Sequence, residues 1–194
     1  MRKFLDKLYA LSGGVAALCI VMITGLVFAQ VVLNLTDKIW ASIFGGAIGL
    51  TIPSYADFTG FFLATASFFA LAYTLKEGGH IRVSLFIQRL PEKSRRHIEI
   101  WCCALASVIS LYFTYYTVLL IIDAFQYNDL SSGMIAVPLW VPQSAMAMGL
   151  LVLSIALIDE LFTVLLGQDP SYADKGENLL AGNDAIPSSI IDAE

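Results

Sequence analysis

The chain has 194 residues, of which 58% are hydrophobic and 14% are charged, and its mean hydropathy is +0.75. A soluble domain is roughly one-half apolar and one-quarter charged, so this much apolar surface predicts burial in lipid. The net charge is −5, and no basic stretch interleaved with aromatic residues points to nucleic acid. The composition therefore favours an integral membrane protein over a soluble enzyme.

Four apolar segments follow one another along the chain. Each supplies the roughly 20 residues with which a helix crosses a hydrocarbon core of about 30 Å. Their central turns contain no lysine or arginine, residues that cost on the order of 2.5–3.5 kcal/mol each at the centre of a membrane helix. The sequence predicts an all-α membrane protein with a membrane domain over 1–167 and four transmembrane helices at about 8–35, 55–75, 98–125 and 141–166.

The first segment has an ambiguous feature at each end. Met1, Arg2 and Lys3 precede it as in a signal peptide, but the segment is much longer than the roughly 7–15 apolar residues of a signal core, so we expect a retained helix. After it, the region between Thr36 and Ser54, with its apolar run from Ile39 to Gly46, is broken by glycine, ended by Pro53 and too short to span a membrane. We expect a short interfacial helix there rather than a re-entrant loop.

The basic residues predict the orientation of the helices. Ten of the eleven lysines and arginines lie before the first segment, between the second and third, or after the fourth. Only Lys38 lies on the other side. Because basic residues concentrate in cytoplasmic loops, we expect both termini and the central loop in the cytoplasm. The tail, 168–194, is acidic, and we expect it to be disordered and cytoplasmic.

The central loop carries the most informative stretch. Its glycine pair should end the second helix, and Val83, Phe86, Ile87 and Leu90 then follow the spacing of one apolar helical face. The pattern predicts a short amphipathic interfacial helix over about 81–96, with its arginines facing lipid phosphates. The candidate contacts with lipid or a partner in this region are Gly78, Gly79, His80, Arg82, Arg89 and Arg96.

Acidic and aromatic residues near the ends of the segments complete the candidates. Asp57 begins the second segment, and Trp140 precedes the fourth as a residue of an aromatic belt would. Asp159 and Glu160 lie one or two turns inside the fourth, where we expect pairing with a basic residue of the loop or of a partner. Two histidines do not predict a zinc site, and we expect no cofactor and no metal on this chain.

The chain resembles the small integral-membrane subunit of tripartite ATP-independent periplasmic (TRAP) transporters, the DctQ-like family. The resemblance covers about Phe4 to Gly167 and rests on the run LAYTLKEGGHIRV from Leu71 to Val83 and on PLWVPQSAMAMG from Pro138 to Gly149. The GGHIRV element is its most specific part. Asp57 stands where the family has a glutamate.

The resemblance implies a function that depends on partners. A large membrane subunit would carry the substrate and sodium sites and move as an elevator, and a periplasmic solute-binding protein would deliver an organic acid. This chain would be a fixed scaffold in the bacterial inner membrane, in contact with both partners and with phospholipids. It would not be an enzyme, and sodium would bind the partner.

Two other readings stay open from the residues alone. A self-sufficient four-helix transporter acting as a homodimer would need a central ionisable residue, for which Asp123 and Asp159 are the candidates. A membrane redox enzyme would use Cys102 and Cys103, although adjacent cysteines are an unusual redox pair. We expect these two, like Cys19, to be reduced residues packed among the helices.

Overall fold

Four long helices form the described part of the molecule. The computed structural model describes residues 2–77 and 92–166, and the helices are α1 (Arg2–Phe44), α2 (Tyr55–Lys76), α3 (Glu92–Gln126) and α4 (Trp140–Leu165). All four are long and apolar enough to cross a membrane. The predicted all-α fold with four spans is therefore confirmed. Most of the predicted interfacial helix, together with the tail after Leu166, lies outside the described residues, and 92–96 form the beginning of α3.

The first helix is longer than the apolar pattern predicted. Its 43 residues correspond to about 64 Å, roughly twice the thickness of a hydrocarbon core. The prediction of a separate interfacial helix between Thr36 and Ser54 is wrong, because α1 continues through Thr36, Asp37 and Lys38 without a break. Thr36 Oγ1 donates to the carbonyl of Val32 within the helix. The helix ends at Phe44, before Gly45, whose φ of 73° suits a residue without a side chain.

The helices run up and down and pack in the order α1, α2, α4, α3. Half of the residues in the most apolar stretch of α4 are buried, compared with 17% in that of α1 and 11% in that of α3. We call the end at which α1 and α3 begin the charged end, because it contains Asp6, Lys76 and Arg96. The opposite end is the loop end, with Ser54 and the loop from 127 to 139. Thus α4 is central, and α1 and α3 form the two edges.

Small residues bring the central helices close together. A Cβ atom on Gly149 of α4 would lie 2.8 Å from the carbonyl carbon of Phe68 in α2, so glycine permits this approach. Ser154, in the middle of α4, lies 2.8 Å from the hydroxyl of Ser110 and 3.2 Å from that of Thr114 in α3. On the other side, the buried Ser12 hydroxyl of α1 donates to the carbonyl of Phe69.

An apolar cluster joins three of the helices. It is centred on Ala72 of α2, which is completely buried, and it includes residues of α1 and α4. In lipid the hydrophobic effect does not drive helices together, so close van der Waals packing between them has to stabilise the bundle. This cluster supplies such packing. The buried members are Tyr9, Ala72, Leu75, Val152, Ala156 and Leu157.

Candidate contact sites at the two ends

At the charged end, an ion pair connects the beginning of α1 to the end of α2. Lys76 Nζ donates to a carboxylate oxygen of Asp6, and the same ammonium lies 5.5 Å from the centre of the Tyr9 ring. A cation over an aromatic face is attracted by the electron density of the ring. Lys76 therefore connects the two helix ends by an ion pair with Asp6 and by a cation–π contact with Tyr9.

Arg96 makes the corresponding contact between α3 and α4. Its Nη2 atom donates to the carbonyl oxygen of Leu165, 3.1 Å away. Leu165 is the last residue of α4, where carbonyls lack partners within the helix and the helix dipole is negative. The predicted contact residue Arg96 thus caps α4, and its side chain is otherwise exposed.

The last turns of α4 also place carboxyl groups at the charged end. Glu160 is only 5% exposed, and Asp159 beside it is partly exposed. Their pairing with a basic residue of the central loop or of a partner stays a prediction. Within the described ranges, no group of three or more His, Cys, Asp or Glu side chains could hold a metal ion.

At the loop end, the two connections between helices are hydrogen-bonded to each other. Ser54 has φ of 56°, and its Oγ accepts the backbone N–H of Ile135, 2.8 Å away. Asp57, in the first turn of α2, lies against Gly133. A Cβ atom on Gly133 would overlap the Asp57 carboxylate and lie 2.7 Å from Ser54 Oγ. Asp57 therefore packs against the α3–α4 loop, at the helix terminus that favours an acidic residue.

Gln30 fixes the connection between α1 and α2. Its Oε1 accepts the backbone N–H of Ile52 at 2.8 Å, and its Nε2 donates to Asn34 and to Thr51. Gln30 therefore holds this loop, and Asn34, one turn further along α1, accepts one of its N–H groups. Asp37 supports it further along α1, since its Oδ1 accepts the N–H groups of Ile48 and Gly49.

Trp140 closes the other connection. It is the first residue of α4, and its ring meets that of Phe125 edge to face, with the ring centres 6.0 Å apart. At 38% exposed, Trp140 is partly accessible, and its place in an aromatic belt stays a prediction.

The structure therefore separates the predicted contact residues. Asp57 and Trp140 lie at the loop end and Arg96 at the charged end, while five others lie outside the described residues, namely Gly78, Gly79, His80, Arg82 and Arg89. Sequence reasoning missed Ser54 and Gly133, whose roles depend on contacts between distant loops. The only sequence signal for Gly133 was the Ser131-Ser132-Gly133 run, which is typical of many turns. Cys102 was also misplaced, because it is exposed, whereas Cys19 and Cys103 are buried.

Four long apolar helices, with hydrogen-bonded connections between α1 and α2 and between α3 and α4, define a multi-pass α-helical membrane protein. Residues 39–167 match the family model of the tripartite ATP-independent periplasmic transporters, DctQ component. The match covers well over half of the chain, so the chain belongs to the DctQ family and is a small membrane subunit of a TRAP transporter. Comparison with the curated proteins and with the solved structures gives no match.

Proposed function

We propose that this chain is the fixed scaffold of a TRAP transporter in the bacterial inner membrane. It would support sodium-coupled uptake of an organic acid that a periplasmic binding protein delivers to a large, elevator-type membrane subunit. The main support for this proposal is the tight packing of α4 against α2 and α3. Gly149 meets the backbone of Phe68, and Ser154 meets Ser110, so sliding these helices would break close contacts. A rigid body of this kind suits a brace against which another subunit moves.

The orientation of the scaffold is part of the proposal. The basic residues favour a cytoplasmic charged end and a periplasmic loop end. The loop end would then face the binding protein with a surface that includes Asp57 and Trp140. Arg82 and Arg89 would contact phospholipid headgroups on the cytoplasmic side. Single cysteines introduced at Lys38 and Lys175, in a chain lacking the natural three, test this through an impermeant thiol reagent. Labelling of Lys38→Cys alone in intact cells is expected.

Reconstituted uptake tests the function itself. The large subunit, this chain and the binding protein are incorporated in or added to proteoliposomes with an inward sodium gradient, and each is omitted in turn. We expect uptake only when all three are present. Full sodium-driven uptake by the large subunit and the binding protein without this chain would overturn the scaffold role. Uptake by this chain alone would favour a self-sufficient transporter.

A further inference from the structure

One edge of the helix row, the side of α3 that points away from α4, carries exposed aromatic and polar side chains. On α3, Tyr112, Tyr115 and Tyr116 are 57%, 61% and 51% exposed. The rings of Tyr112 and Tyr116 lie 4.5 Å apart, and those of Tyr115 and Tyr116 lie 5.4 Å apart. Trp101 and Asp123 lie eleven residues before and after Tyr112, about three helical turns each way. We call these five residues the outer face of α3.

The tyrosines lie in the central part of α3 (Glu92–Gln126). Ser110 contacts Ser154, which is close to the centre of α4 (Trp140–Leu165). Tyr116, the tyrosine farthest from Ser110, is six residues beyond it, or about 9 Å along the axis. The hydrocarbon core extends about 15 Å on each side of its centre. All three tyrosines therefore start from backbone positions within the hydrocarbon layer, whereas tyrosine is enriched at its two surfaces.

Lipid tails cannot satisfy these side chains. In the part of the chain that the structure describes, no hydrogen bond involves the hydroxyls of the three tyrosines, and an unpaired hydroxyl in an apolar medium is unfavourable. The other edge provides a contrast. At the corresponding depth α1 exposes Leu18, Val21 and Met22, and its Thr24 donates to the carbonyl of Ile20. The exposed face of α1 is compatible with lipid, and the outer face of α3 requires hydrogen-bond acceptors.

A second copy of this chain is a poor occupant of the outer face. Two copies related by an axis along the membrane normal would bring α3 against α3. Because Asp123 shares the line of Trp101 and Tyr112 on the helix, the two exposed carboxylates would then face each other near the loop end. Like charges placed together at an interface are unfavourable. A different chain can instead offer a donor or a cation at the depth of Asp123.

We propose that the outer face of α3 is the surface on which the large TRAP membrane subunit docks, a surface assignment that rests on the scaffold function above. A transmembrane helix of that subunit supplies carbonyl, hydroxyl or amide acceptors to the three tyrosines. The same helix or its neighbour presents a donor or a cation to Asp123, and Trp101 packs near the charged end. The edge formed by α1 remains in contact with lipid.

Site-specific photocrosslinking in the intact complex tests this assignment. The photoreactive residue p-benzoylphenylalanine replaces Tyr112 on α3 or, as the matched control, Leu18 on α1, in cells that express the large subunit as well. A second position, Tyr115, serves if the first variant does not accumulate. After irradiation, adducts are identified by peptide sequencing. We expect an adduct with the large subunit from α3 in at least tenfold higher yield than from Leu18.

The other outcomes contradict the proposal in different ways. An adduct from Leu18 but not from α3, or equal yields from both, would move the docking surface and leave the scaffold function standing. An adduct between two copies of this chain through α3 would show that a second copy covers the face. No adduct from α3, while the unmodified chain co-purifies with the large subunit, would also overturn the surface alone. If the unmodified chain does not co-purify with the large subunit, the scaffold function fails as well.

Discussion

The two faces of α3 differ in the size and in the exposure of their side chains. The face towards α4 is formed by the small or hydroxyl-bearing residues Cys103, Ser107, Ser110 and Thr114, and the first three are buried. The opposite face carries Trp101 and the three exposed tyrosines. Small residues let two helices approach closely and bond, while large aromatic residues supply area to a partner. The difference teaches that one helix can encode folding on one side and assembly on the other.

The largest effect is expected from a substitution in the packed interior, at the contact between α2 and α4. In Gly149→Ala, the added methyl group meets the backbone of Phe68, which has no flexible side-chain end with which to retreat. Overpacking of this kind costs about 1–3 kcal/mol, so the thermal midpoint of the purified chain in detergent should fall clearly. Gly14→Ala is the control, since a methyl group there meets nothing within 4 Å. Equal midpoints for the two variants would contradict close packing between α2 and α4.

A second substitution asks whether the loop end belongs to the packed interior. Gly133→Ala places a methyl group in the space of the Asp57 carboxylate, and we expect a loss of about 1–2 kcal/mol of unfolding free energy. Adding Asp57→Ala should restore part of it, because the obstructing carboxylate is gone. Gly46→Ala, which meets no atom within 4 Å, serves as the control in the same denaturation assay. No recovery in the double variant would separate Gly133 from Asp57.

A smaller effect is expected from the hydroxyl contacts between α3 and α4. Ser154→Ala removes the contacts to Ser110 and Thr114, and hydrogen bonds between membrane helices average about 0.6 kcal/mol. The matched control is Ser67→Ala, which loses only a bond to the carbonyl of Leu63 within α2. Comparing the two by reversible unfolding in mixed micelles should show a larger loss for Ser154→Ala. A larger loss for Ser67→Ala would mean that these contacts do not fix α3.

The smallest effect should come from the ion pair at the charged end. Lys76 and Asp6 are 24% and 53% exposed, and exposed ion pairs contribute about 0.2–1 kcal/mol. A double-mutant cycle with Asp6→Asn and Lys76→Gln should give a coupling energy in that range, decreasing as salt is added. A coupling well above this range, insensitive to salt, would show that the pair is more deeply enclosed than its exposure indicates.

The sequence predicted the number and class of the helices because the apolar segments are long and uninterrupted. The ends of α2 and α4 lie within one residue of the expected positions, since Pro53, Gly78 and the prolines around Trp140 mark them. The extension of α1 was not predicted. Thr36, Asp37 and Lys38 look like a polar break, yet Thr36 bonds back to Val32 and Asp37 holds the returning loop. The contact between Asp37 and the loop after α1 cannot be predicted from the local composition.

The sequence indicated which residues were candidates for contacts, but it did not indicate which residues they contact. Arg96 was expected at a membrane surface, and its contact with the end of α4 required the helices to be placed side by side. The Ser54 to Ile135 bond joins residues 81 positions apart, a separation across which no sequence periodicity operates. The tyrosines of α3 are conspicuous in the sequence, but only the structure shows that they lie on the side away from α4.

The most direct test of the two-faced α3 combines Tyr112→Leu, Tyr115→Leu and Tyr116→Leu in one chain and measures co-purification with the large subunit. Three lost interhelical hydrogen bonds at about 0.6 kcal/mol each correspond to roughly twentyfold weaker association. The isolated chain should keep its thermal midpoint, because leucine suits lipid. A control with Val21→Leu, Met22→Leu and Phe28→Leu on α1 should retain the large subunit. Full retention by the α3 variant, or loss by the α1 control, would contradict the account.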